Sequence, residues 1–422
     1  MTATETSKSP SGRETQASGG AADPDLAFVT ARVDELLAAH DPKAMTAFEF
    51  RGAQYDAGLA WVQFPEGYGG LGLRPGVQRE IDRRLREAGG PGTTAGLFFG
   101  LYLVAPTIVT HGSEWAKQRF LRPIFTGEES WCQLFSEPGA GSDLASLATR
   151  AVRDGEEWVV NGQKVWNTLA HIADFGMLVT RTDPEVPKHK GLTYFAVDMH
   201  QPGVEVRPLR QITGEAEFNE VYLTDARIPD SHRIGDVGDG WRVSLTTLAN
   251  ERVTIGGGGG GTGGPKRGSG AIAEAVRIWN DETVERTPER RSVLMKLWCD
   301  SEVLRLTNMR ASAAARQGNP GPEGSIAKLA IAINQQKIFD LCMNLLGANA
   351  LEGFDYTFRR PTQVMLEGTP GLARHMFLRA RANSIEGGTS EIMRNILGER
   401  VLGLPGEPRV DKALPWSQVP RS

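Results

Sequence analysis

Ser136-Glu-Pro-Gly-Ala-Gly-Ser-Asp143 is the most informative stretch of this sequence, and the apolar run Trp131-Cys-Gln-Leu-Phe135 leads directly into it. The apolar run predicts a β-strand, and the glycines after it let a backbone approach a ligand closely. Two hydroxyl groups and several free backbone N–H groups lie within the turn, which suits the binding of a polar ring system. Composition alone fits an ordinary turn at least as well, so the rest of the chain must decide.

The length and charge of the chain limit the classes of protein to which it can belong. With 422 residues it is too long for one ordinary core, so two or three domains are expected. The net charge is −4 with no basic arm, which argues against nucleic acid and anionic membranes as partners. Residues 1–24 lack an apolar segment and predict a disordered leader rather than a signal peptide. No apolar run approaches the roughly 20 residues that a membrane span needs.

The cysteines and histidines argue against a metal enzyme. The three cysteines are odd in number and widely separated, which favours reduced, buried thiols in a cytoplasmic protein. They are Cys132, Cys299 and Cys342. The seven histidines include no i, i+4 pair and no zinc pattern, so no metal site is predicted.

The spacing of apolar residues divides the chain into three folded parts. Residues 25–130 have a helical period, residues 131–237 alternate with a period of two, and residues 238–404 are helical again. A helical domain, a β-domain and a second helical domain are therefore expected, in that order. Residues 405–422 are expected to be an unstructured tail.

Two local signals refine this division. Asn161-Gly162 predicts the turn of a β-hairpin. The polyglycine run Gly256–Gly261 and the residues that follow it, to Gly270, predict a break in the second helical domain, since no helix tolerates such a run internally.

Two further segments contain residue types that suit a planar, partly anionic ligand. In Asn161-Gly-Gln-Lys-Val-Trp-Asn-Thr168, the Trp side chain can stack on a ring, and Thr168 is expected on the same face of a strand. A core tryptophan is the alternative interpretation. In Ile385-Glu-Gly-Gly-Thr-Ser-Glu-Ile-Met-Arg394, the residues after the glycines predict a helix start whose N–H groups can meet an anion. A helix kink is the alternative there.

Together and in this order, these segments resemble the acyl-CoA dehydrogenase family over residues 25–405. Further matching segments are Phe64-Pro-Glu-Gly-Tyr-Gly-Gly70, Arg227-Ile-Pro229, Gly238-Asp-Gly-Trp241 and Glu399-Arg-Val-Leu-Gly-Leu-Pro405. The resemblance implies an α+β multidomain fold with an N-terminal helical domain, a central β-barrel and a C-terminal four-helix bundle. It also implies FAD between the β-domain and the bundle.

The resemblance assigns roles to individual residues. Phe135, Ser136, Gly141 and Ser142 would line the flavin and the pantetheine entrance. Trp166, Asn167 and Thr168 would lie against the isoalloxazine ring, and Thr389, Ser390 and Glu391 would contact the adenosine side. Ser142, Asn250 and Arg252 are the candidate substrate-binding residues.

Two glutamates are candidates for the base that removes the α-proton. Many family members place the base immediately before a single Gly-Thr-Ser, but here Gly387 occupies that position and Glu386 lies one residue upstream. One residue corresponds to about 100° of helix rotation, which aims a side chain elsewhere. The long-chain and isovaleryl-CoA branches instead place a Glu-Arg pair on the first bundle helix, as Glu251-Arg252 does here. Glu251 is therefore the expected base, with Glu386 as the alternative.

The implied activity is oxidation of an acyl-CoA to a trans-2-enoyl-CoA in lipid catabolism, with an electron-transfer flavoprotein as acceptor. The chain lacks the family's Arg-x-x-Phe-Gly run and has Asn344-Leu-Leu-Gly-Ala-Asn349 in place of Gln-x-x-Gly-Gly. Both segments normally reach the FAD of a neighbouring subunit. A homodimer, a homotetramer and a heteromer with a second family member all remain open, as do a catalytically silent subunit and a flavin monooxygenase or oxidase on the same fold.

Overall fold

The computed structural model describes residues 23–92, 97–256, 266–316, 323–352, 357–362, 372–408 and 411–420. Almost all of the expected leader and residues 257–265 of the expected glycine-rich break lie outside the described residues. Within the described ranges, the chain is helical, then β, then helical, as the apolar periods predict.

Among the described residues, the N-terminal part contains five α-helices, one π-helical turn and the 3-10 turn Pro75–Val77. The helices are α1 (Pro24–Ala39), α2 (Ala47–Asp56), α3 (Gln78–Glu87), α4 (Ala105–His111) and α5 (Glu114–Thr126). Thr46 and Glu49 form a capping box at the start of α2, and Ser113 caps α5. The π-helical turn Gly100–Val104 runs directly into α4, with Pro106 in the first turn of that helix, where a missing N–H is tolerated.

Eight strands form one sheet in the central part. They are β1 (Trp131–Leu134), β2 (Arg150–Asp154), β3 (Glu157–Lys164), β4 (Phe175–Arg181), β5 (Leu192–Asp198), β6 (Val204–Leu209), β7 (Phe218–Pro229) and β8 (Arg233–Ile234). The order is β6-β7-β3-β2-β4-β5-β8, and β1 pairs in parallel with β4 outside this path. Every residue of β4 is buried, which explains its continuous apolar run.

The hairpin predicted at Asn161-Gly162 is wrong. These residues lie inside β3, where the register against β7 shifts between Val160 and Gly162. The turn occurs earlier, at Gly155 and Glu156, since Asp154 pairs with Glu157 and Gly155 has a φ of 62°. At this shift a single β3 residue, Asn161, opposes two residues of β7, Thr224 and Asp225, so the extra residue of the bulge lies in β7. Gly162 instead permits a close approach of two segments, since a Cβ atom there would lie 2.4 Å from Thr149.

Six α-helices follow the sheet within the described ranges. They are α6 (Gly240–Gly256), α7 (Ala271–Trp279), α8 (Pro288–Arg316), α9 (Glu323–Leu346), α10 (Leu372–Arg379) and α11 (Ser390–Ile396). Helix α9 contacts each of the other five, while α6 also packs against α4 and β5. Helix α6 therefore contacts all three parts of the molecule.

The expectation of an unstructured tail is wrong for the described residues 411–420. Trp416–Gln418 forms a 3-10 turn, and the backbone N–H of Trp416 donates to the Val186 carbonyl at 2.9 Å. This segment docks on the connection between β4 and β5. Its contacts join residues more than 200 positions apart, which no local sequence pattern reveals.

Candidate active site

The turn after β1 is held from within by a buried ion pair. The Lys164 ammonium lies 2.8 Å from the Glu137 carboxylate and donates to the Phe135 carbonyl at 3.0 Å. The Lys164 side chain is fully buried, and that of Glu137 is 9% exposed. The carboxylate also accepts the backbone N–H groups of Ala148 and Thr149, at 2.7 and 2.9 Å. One buried charge pair thus fixes the start of the turn to β3 and to the backbone at Ala148 and Thr149.

The outer part of this turn faces open space. A Cβ atom added to Gly139 or Gly141 would meet no protein atom within 4 Å, and neither glycine has a left-handed φ. Nothing in the described chain therefore requires glycine at these positions. Ser142 beside them is exposed, whereas Phe135 is buried with its ring edge-on to Tyr194 at 5.8 Å. The outer part of the turn thus leaves room for a ligand, while its inner part is held in place by the Glu137–Lys164 pair.

Trp166 presents its ring at the surface, but not from a strand. Strand β3 ends at Lys164, and Trp166 has a φ of 62°, so the expectation that Trp166 and Thr168 share a strand face is wrong. The indole is 58% exposed, and Phe218 meets its edge at 5.8 Å. Ser136 lies alongside, since its carbonyl accepts the Val165 N–H at 2.9 Å. Because a positive φ in a bulky residue is strained, the turn itself sets the direction of the indole.

Asn167 supports this wall from behind. Its side chain is buried, and its amide nitrogen donates to the Gln133 carbonyl at 2.8 Å, while its backbone pairs with that of Asn219. Its Oδ1 has no hydrogen-bond partner among the described residues. The structure therefore places the Asn167 amide between the Trp166 turn and β1, with Thr168 half-buried beside it.

Glu251 is brought to this wall by α6. Thr247, one turn earlier, contacts the hydroxyls of Thr107 at 3.0 Å and Tyr194 at 3.2 Å, which fixes the helix against both α4 and β5. The Gln133 amide then donates to the Glu251 carboxylate at 3.4 Å. Gln133 accordingly contacts Glu251 through its side chain and Asn167 through its carbonyl. Gln133 therefore links the candidate base to the Trp166 wall through two hydrogen bonds, one to Glu251 and one from Asn167.

Lys328 on α9 brings a buried positive charge to the same place. Its side chain is buried, and its ammonium donates to the Gly388 carbonyl. Burial lowers the pKa of Lys328, while the negative charges of Glu386, Glu251 and Glu391 act to raise it. The two candidate bases, Glu251 and Glu386, and the candidate adenosine contact Glu391 therefore all lie within electrostatic range of this ammonium.

An ion pair with Arg379 holds the Glu386 carboxylate in place. Both of its carboxylate oxygens accept from the Arg379 guanidinium, at 2.9 and 3.1 Å. Arg379 also pairs at 3.3 Å with the buried carboxylate of Glu217, whose pKa is raised by burial. A bidentate pair of this kind fixes the direction of the carboxylate.

The predicted helix start after the double glycine is confirmed. Gly387 and Gly388 have φ values of 62° and 94°, and a Cβ on Gly388 would lie 2.6 Å from Met393. The Thr389 hydroxyl then accepts the Ile392 N–H at 3.2 Å, which makes Thr389 the N-cap of α11. Ser390 is buried, and Glu391 is exposed and pairs with Arg394.

The remaining substrate-binding candidates are only partly described. Asn250 is half-buried beside Glu251. The Arg252 side chain lies outside the described part of the structure.

Sequence reasoning missed Gln133, Lys328 and the Glu137–Lys164 pair. Only the pair left a local signal, since Lys164 falls on the same side of β3 as the buried Trp158 and Val160. A lysine in register with buried residues indicates a buried partner of opposite charge. Gln133 and Lys328 reach the site only because segments distant in the sequence pack together, so no local pattern marks them.

These groups fit the isoalloxazine end of FAD. An exposed indole, the open space over Gly139 and Gly141 and the half-buried hydroxyls of Ser136 and Thr168 lie around one wall. A flat, largely apolar ring with polar edges suits such a wall. In the described ranges, no group of three or more His, Cys, Asp or Glu residues could hold a metal ion. None of the helices described there has the length and apolar character needed to cross a membrane.

Three protein-family models match the chain. They describe the acyl-CoA dehydrogenase N-terminal domain (residues 26–128), middle domain (132–226) and C-terminal domain (238–402). Acyl-CoA dehydrogenase FadE34 of Mycobacterium tuberculosis is 38% identical over 382 residues, which are 90% of this chain and 50% of FadE34. The chain thus spans half the length of that relative. Acyl-CoA dehydrogenase IpdE1 of the same organism is 36% identical over 353 residues, covering 84% of this chain and 86% of IpdE1.

Solved structures share the fold. The Tcur3481-Tcur3483 steroid ACAD superposes with a TM-score of 0.68 at 25% identity, covering 91% of this chain and 99% of that chain. The ChsE4-ChsE5 complex from Mycobacterium tuberculosis gives 0.64 at 27% identity, covering 93% and 100%. With three domain models matched in order and relatives of this identity, the chain belongs to the acyl-CoA dehydrogenase family of FAD-dependent oxidoreductases.

Proposed function

We propose that this chain oxidises an acyl-CoA thioester to a trans-2-enoyl-CoA, with Glu251 removing the α-proton. The observation that carries this proposal is the position of Gln133, which contacts the Glu251 carboxylate and the Asn167 amide behind the Trp166 wall. A thioester lying over a flavin ring seated against that wall would have its α-carbon close to Glu251. Geometry of this kind is the first requirement of a general base.

The reaction removes a proton from the α-carbon and a hydride from the β-carbon, and a C=C bond forms between them. FAD held against Ser136, Trp166 and Thr168 would supply the acceptor for the β-hydride at its N5 atom. Glu251 takes the α-proton, so it must enter the reaction as a carboxylate. Lys328 brings a positive charge within electrostatic range of this carboxylate, and the Gln133 amide contacts it and orients the side chain.

Glu386 serves the site differently. Its carboxylate is held in the bidentate pair with Arg379, and Arg379 joins it to Glu217 on the β-domain. Both of its oxygens are already occupied by Arg379, so it is the poorer candidate for the base. We assign Glu386 to fixing the Gly387-Gly388 turn in place, which positions Thr389.

The names of similar structures bear on the substrate and the assembly. The Tcur3481-Tcur3483 protein is called a steroid ACAD, which supports a bulky, ring-bearing acyl group as a candidate substrate. It and ChsE4-ChsE5 each combine two named components, which supports a heteromer with a second family member. We place the protein in the cytoplasm, with an electron-transfer flavoprotein as electron acceptor.

The outer face of α8 also supports assembly with another subunit. Val303, Leu306 and Met309 recur at a spacing of three and are 63%, 51% and 50% exposed. An apolar stripe of this kind on a long helix is typical of a face that another chain covers. A homodimer, a homotetramer or a heteromer would each bury it.

The flavin content of the chain expressed alone tests whether it holds FAD without a different partner. We expect a yellow protein with the absorption spectrum of oxidised flavin. Trp166→Ala should lower the FAD content because the ring loses its wall, while Trp166→Phe keeps a flat surface and should retain most of it. A colourless protein that gains flavin only when a second family member is co-expressed would favour the silent or incomplete subunit instead.

A further inference from the structure

The segment Asp411–Pro420, here called the C-terminal strap, lies along the connection between β4 and β5. Besides the Trp416 bond to Val186, the Ser417 N–H donates to the Pro184 carbonyl at 2.9 Å. Pro187 and Pro415 form a β-bridge between the two segments. The strap is thus bound through its backbone as an added edge, in the manner of a short β-strand.

Trp416 connects the strap to the turn after β1. Its indole N–H donates to the Ser146 carbonyl at 3.1 Å, and the Arg181 guanidinium lies over its ring at 4.7 Å. Arg181 is only 2% exposed and donates to the carbonyls of Ala145 at 2.5 Å and Lys188 at 2.7 Å. A buried cation and an indole therefore hold the segment around Ser146 together.

Lys188 makes the second connection. Its ammonium lies 2.9 Å from the Asp143 carboxylate and 2.6 Å from that of Asp411. The Lys188 side chain is 13% exposed. Asp143 belongs to the glycine-rich turn and Asp411 to the strap, so one largely buried ammonium joins the two.

The turn therefore has two separate anchors. The Glu137–Lys164 pair holds its inner end, beside Phe135 and the Trp166 wall. The strap holds its outer end, beside Gly141 and Ser142, through Lys188 and Trp416. The inner end faces the proposed flavin site, and the outer end faces the proposed pantetheine entrance.

We propose that the C-terminal strap is a positioning element for the CoA thioester, keeping the outer end of the turn, Gly141–Asp143, in the conformation that receives pantetheine. The proposal rests on the function proposed above. It assigns Trp416 and Asp411 to substrate affinity rather than to the chemical step, because Trp416 contacts Ser146 and Asp411 contacts Lys188, whereas Glu251 contacts Gln133 on β1. It also separates the strap from flavin binding, which depends on the inner anchor.

Deletion of residues 411–422 from the full chain tests the proposal. We expect KM for the acyl-CoA to rise about tenfold, with kcat changed less than about twofold and FAD content unchanged, since only ground-state positioning is lost. Independently of turnover, amide hydrogen exchange of residues 138–149 should become faster. If the deletion reduces yield, Trp416→Leu and Asp411→Asn make the same test within an intact chain.

Gln418→Ala is the matched control, because Gln418 is an exposed strap residue, and it should change neither KM nor exchange. Unchanged exchange in the deletion and in both point variants would overturn the positioning role. Faster exchange with unchanged KM would overturn the link to substrate. If neither the wild type nor any variant oxidises an acyl-CoA, the proposed function fails. The exchange rates still decide whether the strap orders the turn.

Discussion

Replacement of Glu251 by glutamine is expected to slow flavin reduction by an acyl-CoA by about 10²–10⁴-fold. The amide has the shape of the carboxylate and can still accept the Gln133 hydrogen bond, but it cannot take the α-proton. FAD content and the spectrum of the oxidised flavin should therefore stay as in the wild type. Anaerobic stopped-flow mixing with substrate, followed at the flavin absorbance, measures the rate.

Glu386→Gln is the matched control, since it removes the alternative carboxylate from the same region. It breaks a bidentate pair with Arg379 and should lower stability, but the rate of flavin reduction should change less than about tenfold. A large loss of rate in Glu386→Gln together with a normal rate in Glu251→Gln would reverse the assignment of the base.

Replacement of Lys164 by methionine is expected to lower the free energy of unfolding by about 3–5 kcal/mol. The substitution leaves Glu137 buried without its cation, and the Phe135 carbonyl loses a donor. Guanidinium-induced unfolding of the holoenzyme, followed by circular dichroism, measures the change. Arg207→Met removes one side of the exposed Arg207–Glu205 pair and should have little effect. Equal stability of Lys164→Met and the wild type would contradict the structural role of the pair.

The same pair predicts how the difference depends on pH. Burial acts to raise the pKa of Glu137, but the Lys164 charge and the hydrogen bonds to the carboxylate outweigh it and hold the pKa below its ordinary value. A carboxyl with a lowered folded pKa stabilises the protein fully above its unfolded pKa, and this contribution is lost as the pH falls through the folded value. The difference in the free energy of unfolding between the wild type and Lys164→Met should therefore be largest near neutral pH and become smaller in acid.

The order of the domains could be predicted because it depends on local periodicity. Helices α1 and α3 and the Thr389 cap follow from apolar spacing and capping chemistry, which act over a few residues. The Asn161-Gly162 signal failed because glycine also occurs inside strands where two segments approach closely: a Cβ atom on Gly162 would lie 2.4 Å from Thr149, and β7 pairs with β3 on both sides of this position.

The working geometry of the site could not be predicted in the same way. Glu251 was identified through resemblance, but its contact with Gln133 joins residues 118 positions apart. Lys328 reaches Gly388 across 60 positions, and Trp416 reaches Ser146 across 270. Such contacts exist only after the helices and the sheet have packed, so a periodic pattern carries no trace of them. The C-terminal strap is ordered by contacts of the same long-range kind, so its sequence alone predicts no structure.

Anaerobic titration of the purified chain with acyl-CoA thioesters of different length and branching, including a ring-bearing acyl group, tests the proposed dehydrogenation most directly. Bleaching of the flavin absorbance by at least one thioester is predicted, with a trans-2-enoyl-CoA as product and slow reoxidation by oxygen. No bleaching by any thioester would contradict the activity of this chain. Bleaching followed by rapid reoxidation in air would indicate an oxidase or monooxygenase on this fold.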